Sequence, residues 1–70
     1  MTWSYDAKQR VYSVTEGVYH SRVWRHLNDT WIAMVFLGTT TTTQEDFPTA
    51  EEAIAWCEEH IAEHQAGEHD

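Results

Sequence analysis

The 70-residue sequence has little of what small proteins use to reinforce a thin core, since it contains one cysteine, Cys57, and one proline. A single cysteine cannot form a disulfide within the chain, so the fold must be held by packing. The longest apolar run, Trp31–Leu37, is far too short to cross a bilayer. The first ten residues have no positive start followed by an apolar run, so we expect no signal peptide, a cytoplasmic location and a reduced Cys57.

Positive charge is also scarce, and it ends early in the chain. The four cationic side chains are Lys8, Arg10, Arg22 and Arg25, whereas residues 45–70 carry nine of the twelve acidic side chains. The formal net charge of −8 is therefore concentrated in the C-terminal third. Such a charge repels nucleic acids and anionic lipids at long range. We expect a basic protein as partner, with no membrane and no nucleic acid, although an acidic helix face can also serve solubility alone.

The C-terminal third predicts one amphipathic helix over about residues 50–65. Thr49 and Glu52 form the capping motif T-x-x-E, and carboxylates in the first turn complement the helix dipole. Apolar residues then recur at helical spacing and form one stripe: Ala50, Ala53, Ile54, Cys57 and Ile61. The chain is short enough to make residues 1–70 a single domain.

The N-terminal two-thirds predicts an antiparallel sheet over about residues 3–44. Strands are expected at 10–15, 18–27 and 31–37, and the threonine run 39–43 fits either a fourth strand or an extended loop. The fold class is therefore α+β, with three or four strands packed on one C-terminal helix.

One strand of this sheet, Trp31–Leu37, is apolar on both faces. A single helix covers one face, so something else must cover the second. The candidates are the segment around Trp3 and Tyr5, the threonine run, or another subunit, which would make a homodimer through the sheet.

Patterns that carry chemistry are weak in this sequence. His60 and His64 match H-x-x-E-H, which places two potential metal ligands one helical turn apart, but no third ligand accompanies them. Cys57 lies on the apolar stripe, where a thiol is a core residue rather than a nucleophile. The glycines are isolated, so no phosphate-binding loop is present. We predict no catalytic residue, no metal site and no cofactor, and hence no enzyme.

Two surfaces are candidates for binding. The first is the acidic side of the helix, with a predicted protein-binding set of Glu51, Glu52, Glu58, Glu59 and Glu63. The second is an arginine–tryptophan face of the sheet, which suits nucleic acid or protein and comprises Arg22, Trp24, Arg25 and Trp31.

The motifs Gly17-Val-Tyr, Trp31-Ile-Ala and Phe47-Pro-Thr-Ala-Glu-Glu-Ala resemble two small β-β-β-α families. One is the DNA-binding domain of plant ethylene-response factors and related integrases. That likeness implies a sheet lying in the major groove and reading it through Arg22, Trp24, Arg25 and Trp31. The other is the HicB-like antitoxin domain, to which residues 31–38 and the Thr49-Ala-Glu-Glu-Ala-Ile run are similar. That likeness implies an acidic protein that neutralises a small basic toxin.

Taken together, these features predict a small acidic, non-catalytic protein-binding module. We expect an inhibitor or regulator of a nucleic-acid-acting protein, of phage or mobile-element type, whose carboxylates imitate a phosphate backbone. The alternatives are a nucleic-acid-binding module that uses the sheet face and a HicB-like antitoxin.

Overall fold

The computed structural model describes residues 2–67, which form a five-stranded sheet followed by one helix. The strands are β1 (Ser4–Asp6), β2 (Val11–Glu16), β3 (Tyr19–Arg25), β4 (Trp31–Leu37) and β5 (Thr40–Phe47), and the helix is α1 (Ala50–Gly67). All neighbouring strands are antiparallel, in the order β1-β2-β3-β4-β5. The predicted α+β class is confirmed, but the prediction of three or four strands is wrong because the sheet has five.

The two additional strands lie at the edges of the sheet. β1 has only three residues and pairs with the first half of β2, from Ser4 opposite Ser13 to Asp6 opposite Val11. The threonine run pairs with the end of β4, and a bulge near Trp31 shifts the register before Phe47. Asp46 in this irregular part has a φ of 67°. β-branched threonine favours extended backbone, so the run continues the sheet and does not form a loop.

The turn between β3 and β4 follows from two residues that tolerate left-handed backbone. Asn28 and Asp29 have φ values of 62° and 59°, which the twist of a tight hairpin requires. The side chain of Asp29 also forms an ion pair with Arg25 at the end of β3. This turn holds β4 beside β3 over its whole length, from Trp31 opposite Arg25 to Leu37 opposite Tyr19.

The core lies between α1 and the strands β3 and β4. Val23, Val35 and Ala33 on the sheet and Ala53, Cys57 and Ile61 on the helix have no exposed surface. Because alanine and cysteine are small, the helix axis can approach the sheet closely. The core is thin, so each of these side chains matters for stability.

Aromatic side chains close the border of this core. Trp3, Trp31 and Trp56 are half-buried and pack against it on the helix side of the sheet. Tyr5 and Tyr12 stack with ring centres 4.6 Å apart, and Tyr12 also packs against the core. Three of the four tryptophans therefore complete the helix-side core.

The other face of the sheet, which we call the open face, receives no such cover from residues 2–67. Trp3 and Tyr5 lie on the helix side, and the threonine run is itself a strand. Of the three covers expected from the sequence, the two within the chain are therefore ruled out. Within the same residues, no helix is both long and apolar enough to span a membrane.

Thr49 caps the helix as the sequence predicts. Its Oγ1 accepts a hydrogen bond from the backbone N–H of Glu52 at 3.2 Å, and its carbonyl accepts one from the N–H of Ala53 at 3.3 Å. Glu51 and Glu52 stand in the first turn, where their charges meet the positive end of the helix dipole. Helix formation therefore starts at Ala50.

Replacing this cap should destabilise the protein measurably. Thr49→Ala removes the acceptor for one of the orphan N–H groups, and we expect a loss of about 1 kcal/mol in the free energy of unfolding. Urea denaturation followed by circular dichroism measures it. Thr39→Ala, in the exposed turn before β5, is the matched control and should change the free energy of unfolding much less. Equal losses in both variants would contradict a capping role for Thr49.

Candidate functional site

The outer side of α1 presents a row of three carboxylates: Glu52, Glu59 and Glu63. Seven and eleven residues are close to two and three helical turns, so these side chains point in nearly the same direction, away from the buried Ala53 and Cys57. All three are exposed. At 1.5 Å per residue the row extends over roughly 16 Å. We call these three residues the acidic row.

The two other predicted helix carboxylates lie on a flank of the helix, and one of them has a partner. Glu51 is exposed, whereas Glu58 is half-buried and its Oε2 accepts a hydrogen bond of 3.0 Å from the indole Nε1 of Trp3. This bond joins the N-terminal segment to the helix across 55 positions of sequence. Glu58 therefore contributes to holding the fold together, and the predicted set of five separates into an outer row and a flank.

None of these five carboxylates has a cationic partner in the described part of the chain. The ion pair found within residues 2–67 joins Arg25 to Asp29 in the turn between β3 and β4, and it involves no residue of the helix. Charges that are not paired internally keep their long-range field, which salt screens over roughly 8 Å at physiological ionic strength. The acidic row is thus an unneutralised negative surface.

The two histidines of the H-x-x-E-H motif are each engaged with a neighbour. His60 Nδ1 lies 2.9 Å from the carbonyl oxygen of Trp56, and the two rings stack with centres 4.0 Å apart. His64 Nδ1 lies 3.1 Å from the hydroxyl of Tyr19 on β3. Among residues 2–67, no group of three or more His, Cys, Asp or Glu side chains is arranged to hold a metal ion. The motif therefore coincides with packing contacts of the helix.

Cys57 lies in the centre of the core with no exposed surface. Burial raises the pKa of its thiol to about 12; the adjacent Ser21 hydroxyl lowers this pKa somewhat, and the charge of Glu58 raises it. The Ser21 oxygen is itself fully buried and makes no hydrogen bond of normal geometry, so its contact with the thiol is a weak one. A protonated, enclosed thiol is not a nucleophile.

The predicted arginine–tryptophan set is divided between the two faces of the sheet. Arg22 and Trp24 lie on the open face, opposite Met34 and Ile32 of β4. Arg25 pairs with Trp31, whose ring lies 6.0 Å from that of Tyr12 and packs against the helix-side core. The four residues consequently do not form one binding surface.

The open face instead brings Arg22 and Trp24 together with residues outside the predicted binding sets. Two clefts of about 390 and 310 Å³ meet there and share Gln9, Val11 and Trp24. Met34 and Phe36 line the smaller cleft, and Arg10 lines the larger one. The signal that could have found Met34 and Phe36 is the alternation along β4, which places them on the same side as Arg22 and Trp24.

Comparisons of this chain with protein-family models, with curated proteins and with solved structures find no match.

The environment of Cys57 predicts a slow reaction with thiol reagents. At pH 9 an exposed cysteine is largely ionised, whereas Cys57 keeps its proton because its pKa is about 12. We expect a disulfide reagent to label the native protein roughly 100-fold more slowly than the protein unfolded in guanidinium. Absorbance of the released thiolate measures both rates. Rapid labelling of the native protein would show that the helix does not shield the thiol.

Proposed function

We propose that the protein is a non-catalytic binding module that regulates a basic, nucleic-acid-acting protein of phage or mobile-element type through the acidic row. The observation that supports this proposal is the row itself: three exposed carboxylates in line on a rigid helix, with no cation within ion-pair distance in residues 2–67. A rigid row of charge binds a basic surface with little loss of conformational entropy. It also accelerates the encounter with that surface.

The electrostatics favour a basic protein over a nucleic acid at this surface. Proteins that bind nucleic acids expose rows of lysine and arginine to hold phosphates. A helix that presents carboxylates in a row competes with the nucleic acid for those lysine and arginine side chains. The partner protein then loses its contact with the phosphate backbone of the nucleic acid. Inhibition by occupation is the mechanism that we propose, and it requires no reacting group from this chain.

The decisive variant reverses two charges of the acidic row. Glu59→Lys/Glu63→Lys changes two exposed positions, so the fold should be retained. Glu58 is left intact because its carboxylate bonds Trp3. We expect affinity capture from the source cells, read by mass spectrometry, to recover a basic nucleic-acid-acting protein with the original chain and to lose it with this variant.

The matched control is Glu16→Lys/Glu45→Lys, which shifts the net charge by the same amount at exposed positions outside the helix. Its affinity for the captured protein should stay within about threefold of that of the original chain, because charges distant from the binding surface contribute little to affinity. Equal losses with both double variants would reduce the effect to net charge and contradict a specific role for the acidic row. Circular dichroism of each variant verifies that the helix is present.

The same capture separates the two alternative functions. A small basic toxin as the captured protein would support the HicB-like antitoxin. A nucleic-acid-binding module would instead bind duplex DNA with an affinity that falls steeply with salt and is weakened by Arg22→Ala. The division of the arginine–tryptophan set between two faces disfavours this last reading.

A further inference from the structure

The open face carries a second surface whose chemistry is opposite to that of the acidic row. The two clefts that meet at Trp24 form one continuous groove, because they share Gln9, Val11 and Trp24. It runs from Phe36 and Met34 on β4, across Trp24, to the beginning of β2 and the end of β3. We call it the Trp24 groove. It lies on the far side of the sheet from α1.

Two of the four cationic side chains of the protein, Arg10 and Arg22, line the Trp24 groove, and Arg25, which lies on the helix side of β3, borders only its end. Arg25 is paired with Asp29, whereas Arg10 and Arg22 are exposed and have no ion-pair partner within residues 2–67. The carboxylate nearest to Arg10 in sequence is that of Asp6, which accepts hydrogen bonds from the backbone N–H groups of Lys8 and Gln9. Asp6 lies opposite Val11 at the edge of the groove, so the two unpaired arginines leave the groove with a small surplus of positive charge on a protein of net charge −8.

The floor of the Trp24 groove is apolar and half-buried. Trp24, Met34, Phe36 and Val11 lie side by side on three adjacent strands, and Ile32 opposite Trp24 is almost fully buried. Tryptophan, methionine, phenylalanine and arginine are the residue types enriched at the centre of protein interfaces. An occupant must therefore supply both apolar contact and negative charge.

A second copy bound face to face through the sheet supplies apolar contact but no negative charge. A two-fold axis would place the arginines of one groove against those of the other. The carboxylates of α1 could not neutralise them, because α1 lies on the opposite side of each molecule. A nucleic acid supplies negative charge, but the net charge of −8 on the protein repels a polyphosphate at long range. A short segment that alternates carboxylates with apolar side chains supplies both and carries a much lower charge.

We propose that the Trp24 groove binds an acidic, apolar segment of a partner protein. Carboxylates of the segment pair with Arg10 and Arg22, where an arginine can hold both oxygens of one carboxylate. Its apolar side chains lie on Trp24, Met34 and Phe36. This inference does not depend on the acidic row, since the two surfaces share no residue and lie on opposite sides of the sheet.

The test is a selection of displayed random 12-residue peptides on the whole protein, with Arg22→Glu as the counter-selected surface. We expect the peptides that bind the original chain and not the variant to be rich in Asp and Glu and to contain aromatic or aliphatic residues. A fluorescent copy of the most enriched peptide then measures affinity by anisotropy. Arg22→Ala should weaken binding about tenfold, which corresponds to one charge-assisted hydrogen bond.

Lys8→Ala is the matched control, because it removes the same charge from an exposed position in the β1–β2 turn that does not line the groove. It should alter affinity by less than twofold. Arg22 is exposed, so its replacement should leave the thermal unfolding curve unchanged, and this separates a lost contact from a lost fold. Glu59→Lys/Glu63→Lys should leave peptide binding intact even if the proposed function fails.

Four results of these binding experiments would overturn this proposal. They are the enrichment of basic peptides, the enrichment of none, equal weakening by Arg22→Ala and Lys8→Ala, and tighter binding of single-stranded oligothymidine than of any selected peptide with a dependence on Arg22. The last result would assign the groove to nucleic acid. A fifth result would overturn the proposal in the same way: a mass in solution that doubles with protein concentration and returns to one chain on Arg22→Glu would assign the groove to a second copy.

Discussion

One helix on a five-stranded sheet is the constraint from which the other features of this protein follow. An α-helix is about 10 Å wide with its side chains, and strands are about 4.8 Å apart, so a single helix covers little more than two strands. Here it lies over β3 and β4, where the fully buried residues are found. Over β1 and β2, the helix side of the sheet is covered instead by aromatic rings. Tyr5 stacks on Tyr12, and Trp3 donates a hydrogen bond to Glu58. The opposite face of the sheet has no layer of its own within residues 2–67.

The separation of charge along the chain becomes a separation across the thickness of the molecule. All four cations precede residue 26, and two of them, Arg10 and Arg22, line the groove on the open face, whereas the helix on the other side has a surplus of carboxylates. Stability does not explain this arrangement, because an exposed ion pair contributes only roughly 0–1 kcal/mol to the free energy of unfolding. The proposed binding to charged partners accounts for it, since unpaired charges on a rigid surface steer and select partners.

The helix could be predicted from sequence because its signals are local. Thr49, Glu52 and the apolar stripe all lie within a few turns of one another, and the structure places the helix start where they indicate. The outer position of Glu52, Glu59 and Glu63 follows from the same periodicity. The bond from Trp3 to Glu58 could not be predicted, because it joins residues 55 positions apart and depends on the path of the whole sheet.

The edge strands were harder to predict for a physical reason. Four identical threonines in β5 show no alternation of polar and apolar residues, so neither their pairing nor their register can be inferred from that strand alone. The division of the arginine–tryptophan set has a different origin. Arg22 and Arg25 are three residues apart on one strand, and an odd spacing places side chains on opposite faces. Their closeness in sequence suggested one cluster, whereas the alternation of the strand separates them.

The two surfaces can act independently because of the distance between them. A helix packed on a sheet puts about 10 Å between the two layers, and the acidic row lies on the outer side of its helix. That separation exceeds the roughly 8 Å over which physiological salt screens charge, so occupation of one surface changes the field at the other only weakly. A basic partner on the acidic row and an acidic segment in the Trp24 groove would therefore bind with little mutual influence. Under the two proposals, a chain of 70 residues would hold two partners of opposite charge on opposite sides of a single sheet.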